Sequence, residues 1–323
     1  MSTIRASEAP PIEETAESTI VPEPVPSAER PQDPYWPQFL NRASDVEIRA
    51  RFSRELNAAV QIHEAVLSSY CCLALLEAED NIDSFEADRI YKALSETNSG
   101  RDKDVLLIIL SGGGSIEPAY QISKICKSFA KNRFIAVIPR RAKSAATLIA
   151  LGADEIHIGP LGQLGPIDPQ LDGLPALGVT QALERLASVA EKHPGSAEMF
   201  AAYLQRALTI QQIGYCDRIA ESAAQYAERL LSTKVHLVER AGQIARELVY
   251  EYKHHGFVID LAEATTHLGS DWIKGVSPEL ALAETVYSHF EDVDLWLGMV
   301  AQKRIIMVGE LKSEPILLKK ERR

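Results

Sequence analysis

The spacing of hydrophobic positions changes along this chain, and each spacing predicts a different kind of structure. From residue 44 to residue 76 the apolar residues recur every three or four positions, as in Phe52, Leu56 and Val60, which predicts helices. Between residues 105 and 158 the largely apolar runs VLLIIL, FIAVIP and EIHI alternate with helical segments. Buried, mainly parallel strands joined by helical crossovers have this pattern, so the sequence predicts an α/β core.

Beyond Gln170 the spacing is almost wholly helical, and glycines and prolines separate the segments. A further helix is predicted after Ser277, a suitable N-cap, with Pro278 at its first position. The α/β core is therefore predicted to carry a helical C-terminal extension. Its helices are predicted over about residues 179–191, 197–212, 220–231 and 235–254.

These patterns divide the chain into four predicted segments. Residues 1–34 are rich in Pro, Glu, Ser and Thr and are predicted to be a disordered acidic tail, because they cannot bury enough apolar surface to fold. Residues 35–100 are predicted to be an N-terminal helical segment. Residues 101–310 are predicted to be the main domain, including its helical part from about residue 179, and residues 311–323 a charged C-terminal tail.

Composition and charge narrow the range of functions. The net charge of -11 at pH 7 opposes binding to nucleic acid and to anionic lipid. No apolar run reaches the roughly 18 residues that predict a membrane span. The chain opens without the pattern of an export signal, and its four cysteines lack metal-binding spacing. A reduced, cytoplasmic protein is predicted, with no cofactor and no metal.

A glycine-rich loop, SGGGS, spans residues 111–115 between the first core strand and a helix. Glycines bring backbone amides close to a ligand, and the helix N-terminus adds positive potential. The loop is therefore a candidate anion hole, with Gly113 and Gly114 as candidate donors. Nucleotide binding is disfavoured because GxxxxGK[ST] is absent and GxGxxG is not matched. A tight turn without a ligand is the remaining alternative.

Ser144 begins a segment of small residues, SAATLIA, shortly after the predicted strand 134–139. Its hydroxyl would be exposed on a strand-to-helix elbow, where the amide of Ala145 can stabilise an oxyanion. The structural alternative is an ordinary helix N-cap. Parallel strands would bring Ser144 and the glycine loop to one edge of the sheet, where ligands commonly bind, so Ser144 is the candidate nucleophile.

A third motif, LGQLGPIDPQ, spans residues 161–170. Its prolines stiffen the loop and its glycines permit tight turns, so it is predicted to form either a wall of a peptide-binding groove or a rigid connector. Asp168 is its one ionisable residue. It would either orient a base or make a turn before Pro169.

In this order and spacing, SGGGSIEPAYQI, AKSAATLIALGADEI and LGPIDPQ resemble the serine dehydrogenase proteinase family, relatives of signal peptide peptidase A and of the Clp peptidase subunit. The resemblance covers about residues 104–171. It implies a ClpP/crotonase-like fold of repeated ββα units, serine peptidase chemistry without metal or organic cofactor, and a homo-oligomer. It also implies Ser144 as the nucleophile, with the amides of Gly113 and Ala145 as the oxyanion hole.

The general base is not placed by any motif. A serine hydroxyl needs a neighbour to accept its proton, and the resembling families use a His/Asp pair or a downstream lysine. The sequence candidates are Lys192 and His193. The resemblance implies a lysine in the stretch where this chain has Ser222, which leaves open the alternative that the base is missing. His254 and His255 lie at a predicted helix end, where solvation is the expected role.

The predicted function is hydrolysis of a peptide or protein substrate by an intracellular serine peptidase. Two alternatives remain open. A pseudo-peptidase would keep the fold and use its helical half for assembly or regulation. A crotonase-type acyl-CoA enzyme would need a catalytic carboxylate, for which Glu117 is the candidate.

Overall fold

The strands are runs of apolar residues. Helices cover both faces of the sheet, so side chains on either side of a strand are buried. The structure is a computed structural model that describes residues 35–77, 81–171, 174–252 and 254–320, so the predicted tail 1–34 lies outside the described residues. The strands are β1 (Tyr70–Glu77), β2 (Asp104–Ser111), β3 (Phe134–Ile138), β4 (Arg141–Ala142), β5 (Glu155–Ile158), β6 (Gln163–Leu164), β7 (Gln170–Leu171), β8 (Leu174–Pro175), β9 (Ile273–Lys274), β10 (Lys303–Glu310) and β11 (Ile316–Lys319).

The helices begin at residues whose side chains cap the first turn. Ser44 and Asp83 each form a capping box with a glutamate three residues later, and Ser277 caps a helix with Pro278 in its first turn. The helices are α1 (Trp36–Leu40), α2 (Asp45–Val60), α3 (Glu64–Ser69), α4 (Ser84–Thr97), α5 (Ile116–Phe129), α6 (Ala145–Leu151), α7 (Ala176–Lys192), α8 (Ala197–Ala207), α9 (Ile210–Leu231), α10 (Ala241–Arg246), α11 (Leu261–Leu268) and α12 (Pro278–Trp296). Two π-helical turns, Glu247–Glu251 and Leu297–Ala301, follow α10 and α12.

The main sheet has the strand order β11-β10-β1-β2-β3-β5-β9. The five strands from β1 to β9 in this order run parallel to one another, whereas β10 is antiparallel to β1 and β11 to β10. The short strand β4 extends the sheet by pairing in parallel with both β2 and β6. The carboxyl ends of the parallel strands therefore meet at one edge.

The sheet separates two hydrophobic core clusters. Leu73 and Leu75 of β1 face the cluster formed with α4, α5, α6, α9 and α10. The alternate residues Cys72 and Leu76 face the cluster formed with α1, α2 and α12. The predicted α/β core with a helical C-terminal extension is confirmed. None of the helices in the described ranges is both long and apolar enough to cross a membrane.

Two predicted segment boundaries need correction. The helical spacing predicted through residue 76 gives way to strand β1, which pairs with β2 over its whole length, so residue 100 does not separate two domains. The predicted charged tail 311–323 contains β11, which pairs with β10. The short apolar run Ile316–Leu318 explains this strand, because it gives the chain a side that can pack at the edge of the sheet.

The predicted helices of the C-terminal half also differ in detail. Gly214 does not end a helix but lies inside α9. The helix predicted over residues 235–254 begins only at Ala241, and the residues before it form turns. Local spacing could not distinguish these turns from a helix because Val235 and Val238 satisfy the helical spacing but are exposed.

Candidate active site

Three strands bring the three sequence motifs to one edge of the sheet. Ser111 at the end of β2 pairs with Ala142 of β4, and Ala142 pairs with Leu164 of β6. The glycine loop, the serine elbow and the proline-rich loop follow these three positions. They are therefore neighbours in space, as the parallel arrangement predicts.

Ser144 occupies a sharp turn between β4 and α6. Its backbone has φ 51° and ψ −120°, a conformation that residues with a side chain rarely adopt. Its side chain makes no capping bond with the helix that follows, and within the described residues its hydroxyl has no hydrogen-bond partner. The half-buried hydroxyl is thus available at the elbow, which is the arrangement of a serine nucleophile.

Hydrogen bonds on both sides hold this elbow. The amide of Lys143 donates to the carbonyl of Ser111 at 3.1 Å. The buried hydroxyl of Thr147 lies 2.7 Å from the carbonyl of Ala142 and 2.8 Å from that of Gly165, and it accepts from the Gly165 amide at 3.1 Å. Backbone strain persists where the surroundings determine the conformation in this way.

The predicted oxyanion donors differ in their availability. Gly113 donates its amide to the hydroxyl of Ser111 at 3.0 Å, so this amide is not free in the present conformation. The amides of Gly114 and Ala145 have no partner in the described part of the chain. Gly113 also determines how closely the loop approaches Ser144. A Cβ at this position would lie 2.7 Å from the Cβ of Ser144. Its lack of a side chain allows the loop to approach the serine.

A cavity of about 550 Å³ opens at the serine. This volume is in the range of small-molecule and peptide side-chain sites. Helix α9 forms one wall with Tyr215, Ile219 and Ser222, which share one helix face. The glycine loop, Ser144, Glu117, Ile167 and His255 line the rest of it, together with residues 81–83.

Asp168 and His255 form a pair beside this cavity. Nδ1 of His255 lies 3.5 Å from Oδ2 of Asp168, whose side chain is buried. The contact is longer than an ordinary hydrogen bond, and Nδ1 is shielded from solvent without a hydrogen-bond partner in the described residues. Such bonds are often long in unliganded enzymes and shorten when substrate binds. An imidazole whose Nδ1 faces a carboxyl group can accept a proton at Nε2.

The segment that carries His255 is attached to the loop that carries Asp168. The backbones of Leu164 and Ile259 exchange two hydrogen bonds of 2.9 and 3.1 Å. Nζ of Lys143 also donates to the carbonyls of Leu164 at 3.0 Å and Phe257 at 2.6 Å. Burial, together with the nearby charge of Arg141, lowers the pKa of Lys143 to about 8.

The sequence candidates for the base lie elsewhere. Lys192 is the last residue of α7 and His193 follows it, and both are exposed. Neither lines the cavity that contains Ser144. A helix end of sequence EKHPG is strongly polar and remains in solvent, which explains their position. Sequence reasoning assigned His255 to a solvated helix end because no local pattern connects it to a loop about 90 positions earlier.

Across the described ranges no three His, Cys, Asp or Glu residues are placed to hold a metal ion. The cavity instead presents a serine hydroxyl, a histidine and two unbonded amides, which are the groups required for acyl transfer.

Residues 71–207 match the family of ClpP-like SDH-type serine proteinases. This match covers Ser144, Asp168, the glycine loop and the proline-rich loop. It confirms the family resemblance and the ClpP-like fold class predicted from the three motifs. His255 lies C-terminal to the matched residues.

Two curated relatives are uncharacterized proteins of Methanocaldococcus jannaschii. One is 39% identical over 101 residues, which are 31% of this chain and 34% of the relative. The other is 34% identical over 100 residues, which are 31% of this chain and 33% of the relative. The chain therefore spans about a third of the length of the curated relatives it matches.

Two solved structures that resemble the chain are a stomatin-specific protease and ClpP1. A serine-to-alanine mutant of the 1510-N membrane-bound stomatin-specific protease has a TM-score of 0.42 at 14% identity, covering 66% of this chain and 83% of that chain. ClpP1 from Listeria monocytogenes has a TM-score of 0.40 at 16% identity, covering 68% of this chain and 99% of that chain.

Proposed function

We propose that this protein hydrolyses peptide bonds with Ser144 as nucleophile, His255 as general base and Asp168 as the residue that orients His255. The observation that carries the proposal is the serine elbow, which opens into the same cavity as a histidine paired with a buried carboxyl group. The match to a serine proteinase family supports the reaction class.

The proposed steps use only groups that this chain supplies. His255 accepts the proton of Ser144 while the serine oxygen attacks the substrate carbonyl carbon. The amides of Gly114 and Ala145 donate to the developing oxyanion. The carbon–nitrogen bond then breaks as His255 passes its proton to the leaving amine. Water, deprotonated by the same histidine, hydrolyses the acyl-enzyme.

A fluorophosphonate probe, which reacts with activated serines, tests the nucleophile. We expect the full chain to be labelled and Ser144→Ala to remain unlabelled, because the probe bonds to the serine oxygen. Equal labelling of the two proteins would contradict the role of Ser144. A folded wild-type protein that shows no labelling would contradict the peptidase proposal itself.

The base is tested by the labelling rate of His255→Gln beside that of His193→Gln and Lys192→Gln. We expect the change at His255 to slow labelling by about 10²- to 10⁴-fold, which is the typical contribution of a general base. The other two substitutions are matched controls at exposed positions outside the cavity. A loss of labelling in either control, with normal labelling of His255→Gln, would reassign the base.

The proposal includes a cytoplasmic setting and a homo-oligomer. The four cysteines are buried and unbridged, as is usual in reducing compartments. Sedimentation velocity of the full chain tests the oligomer, and a single species near 35.6 kDa would contradict it.

A crotonase-type acyl-CoA reaction is the second candidate, because the carboxyl group of Glu117 lines the same cavity. Thermal stabilisation by an acyl-CoA, in the absence of labelling at Ser144, would favour it. A folded protein that shows neither response would favour the pseudo-peptidase alternative.

A further inference from the structure

A buried carboxyl group lies behind the glycine loop and takes no part in the chemistry proposed above. Glu77 is fully buried at the carboxyl end of β1, in register with Ser111 at the end of β2. The fully buried hydroxyl of Ser111 donates to Oε1 of Glu77 at 2.8 Å. Neither residue lines the cavity. Its position directly behind the edge that carries Ser144, bonded to the residue that begins the glycine loop, places it where it can arrange that edge.

Ser111 connects this carboxyl group to the glycine loop and to the serine elbow. A hydroxyl has one hydrogen, so donation to Glu77 leaves the lone pairs of Ser111 to accept from the Gly113 amide at 3.0 Å. The carbonyl of Ser111 accepts from the amide of Lys143 at 3.1 Å. One residue therefore fixes the glycine loop and also the position immediately before Ser144.

The glycine loop is held from its other side by Ile82. The amide of Ile82 donates to the carbonyl of Gly113 at 2.9 Å, and its carbonyl accepts from the amide of Ser115 at 2.8 Å. Gly114 lies between these two bonds, and a Cβ on it would come within 2.4 Å of the Ile82 backbone. Ile82 and Gly114 thus pair as in a parallel sheet. In this pairing the amide of Gly114 points away from Ile82, which leaves it available to a ligand.

We propose that Glu77 and Ser111 are positioning residues for the oxyanion hole. Glu77 orients the Ser111 hydroxyl, and that hydroxyl turns the amide of Gly113 inward so that the amide of Gly114 faces the oxyanion. The inference rests on the proposed function, since the oxyanion forms only when Ser144 attacks. Neither residue contacts substrate, so the step they influence is bond formation at Ser144, and initial binding is unaffected.

The fluorophosphonate reaction separates these two steps. Its maximal rate reports bond formation, and the probe concentration at half-maximal rate reports binding. We expect Ser111→Ala and Glu77→Ala each to lower the maximal rate by about tenfold or more, below the 10²- to 10³-fold loss caused by removing an oxyanion donor outright. The half-maximal concentration should not change.

Conservative variants distinguish positioning from simple structural damage. Glu77→Gln keeps an acceptor for the Ser111 hydroxyl and should retain most of the maximal rate. Asp104→Asn is the matched control, because Asp104 lies at the opposite end of β2 and accepts from Arg133 at 3.2 Å. It should leave the labelling rate unchanged. Equal maximal rates in wild type, Ser111→Ala and Glu77→Ala would overturn the inference while leaving the peptidase proposal intact.

Amide hydrogen exchange supplies a readout that does not depend on activity. Exchange at Gly113 should speed up in Ser111→Ala and in Glu77→Ala but not in Asp104→Asn. If wild-type Ser144 proves unreactive, the peptidase proposal fails on its own. Unchanged exchange at Gly113 would overturn the positioning role whatever the labelling shows.

Discussion

Ser144 shows how a single residue can be held in a conformation that its side chain disfavours. A strained residue of this kind costs roughly 1–3 kcal/mol, and it persists because its surroundings fix the backbone. Here the fixed points are the amide of Lys143, bonded to Ser111, and the hydroxyl of Thr147, which lies between the two loops. The N-cap alternative is not supported, because the Ser144 side chain makes no capping bond.

Replacing Gly113 by alanine should disrupt this arrangement. The added Cβ would lie 2.7 Å from the Cβ of Ser144, and the backbone of Gly113 has φ 115°, which alanine strongly disfavours. We therefore expect Gly113→Ala to slow labelling of Ser144 by about tenfold or more, in line with the loss expected when the oxyanion hole is displaced. The thermal midpoint should also fall.

Gly112 offers a matched control one position away. No atom lies within 4 Å of a Cβ placed there, and its φ is not in the left-handed region. Gly112→Ala should keep a labelling rate within about twofold of wild type, as expected for a substitution that meets no steric or conformational barrier. Similar losses in both variants would show that the loop tolerates no side chain at all, which would contradict a specific role for Gly113.

At the level of single residues, the sequence indicates the elbow position of Ser144 but not the position of His255 beside the same cavity. Ser144 follows a recognisable strand and precedes small residues, so its position could be predicted from neighbours in the chain. His255 reaches the site through contacts between distant parts of the chain, namely the pairing of Ile259 with Leu164 and the bond from Lys143 to the carbonyl of Phe257. Nothing in the local pattern of HHGF indicates these contacts. The same distance explains why Lys192 and His193 were preferred.

Among the elements, the loop after β6 and the segment before α11 act as one unit. Lys143 connects them through two carbonyl groups while its own backbone supports the serine elbow. A neutral amine has two N–H groups, which matches the two acceptors. The lowered pKa of Lys143, to about 8, means that the folded protein releases this proton more readily than the unfolded chain does.

This shift predicts how stability depends on pH. Between pH 8 and the ordinary lysine pKa of 10.5, the unfolded chain still binds the Lys143 proton while the folded protein has released it. The unfolded state then binds more protons at this group, so Lys143 contributes a rise in the free energy of unfolding with pH in this window. Lys143→Met should reduce that rise, as measured by urea unfolding between pH 7.5 and pH 9.5.

Other groups also affect this measurement, so the Lys143 contribution is the difference in slope between wild type and variant. Burial raises the pKa of all four thiols above the ordinary value of 9.0, so they lower stability as pH rises, equally in both proteins. Burial also lowers the pKa of Lys234 to about 8, so part of the rise should remain in Lys143→Met. Burial raises the pKa of Tyr70 to about 12, which reduces stability only above the ordinary tyrosine value of 10. Lys92→Met, at a side chain that is 72% exposed, is the control and should keep the wild-type slope. An unchanged slope in Lys143→Met would contradict the assignment.

Elements were predictable where their hydrophobic spacing was distinctive. The helix predicted after the glycine loop is α5, and it buries one face that carries Ala119, Ile122 and Cys126. Strand β1 was misassigned because YCCLALL is apolar at nearly every position, so helical spacing fits it by default. Only its burial between β10 and β2 distinguishes it, and that depends on residues far away in the chain.

For the whole molecule, the sheet lies between two hydrophobic cores, and the candidate site is at its carboxyl edge. The N-terminal helices α1 and α2 pack with α12 on the face opposite to α5, α6 and α9. The residues predicted as a separate N-terminal segment thus complete the covering of the sheet. Because β1 has residues in both clusters, we expect the two faces to unfold together as one cooperative unit.

Phe52→Ala tests this dependence from the side remote from Ser144. Phe52 is completely buried in α2, with its ring centroid 4.7 Å from that of His289. Its truncation should lower the free energy of unfolding by about 3–5 kcal/mol, measured by urea denaturation. Val46→Ala, at a residue of the same helix that is 65% exposed, should change it by less than about 0.5 kcal/mol. While the protein remains folded, the labelling rate of Ser144 should stay at the wild-type value, because Phe52 and α6 belong to core clusters on opposite faces of the sheet. An independent first transition, in which α2 unfolds while Ser144 remains reactive, would show that the N-terminal helices are a separate unit after all.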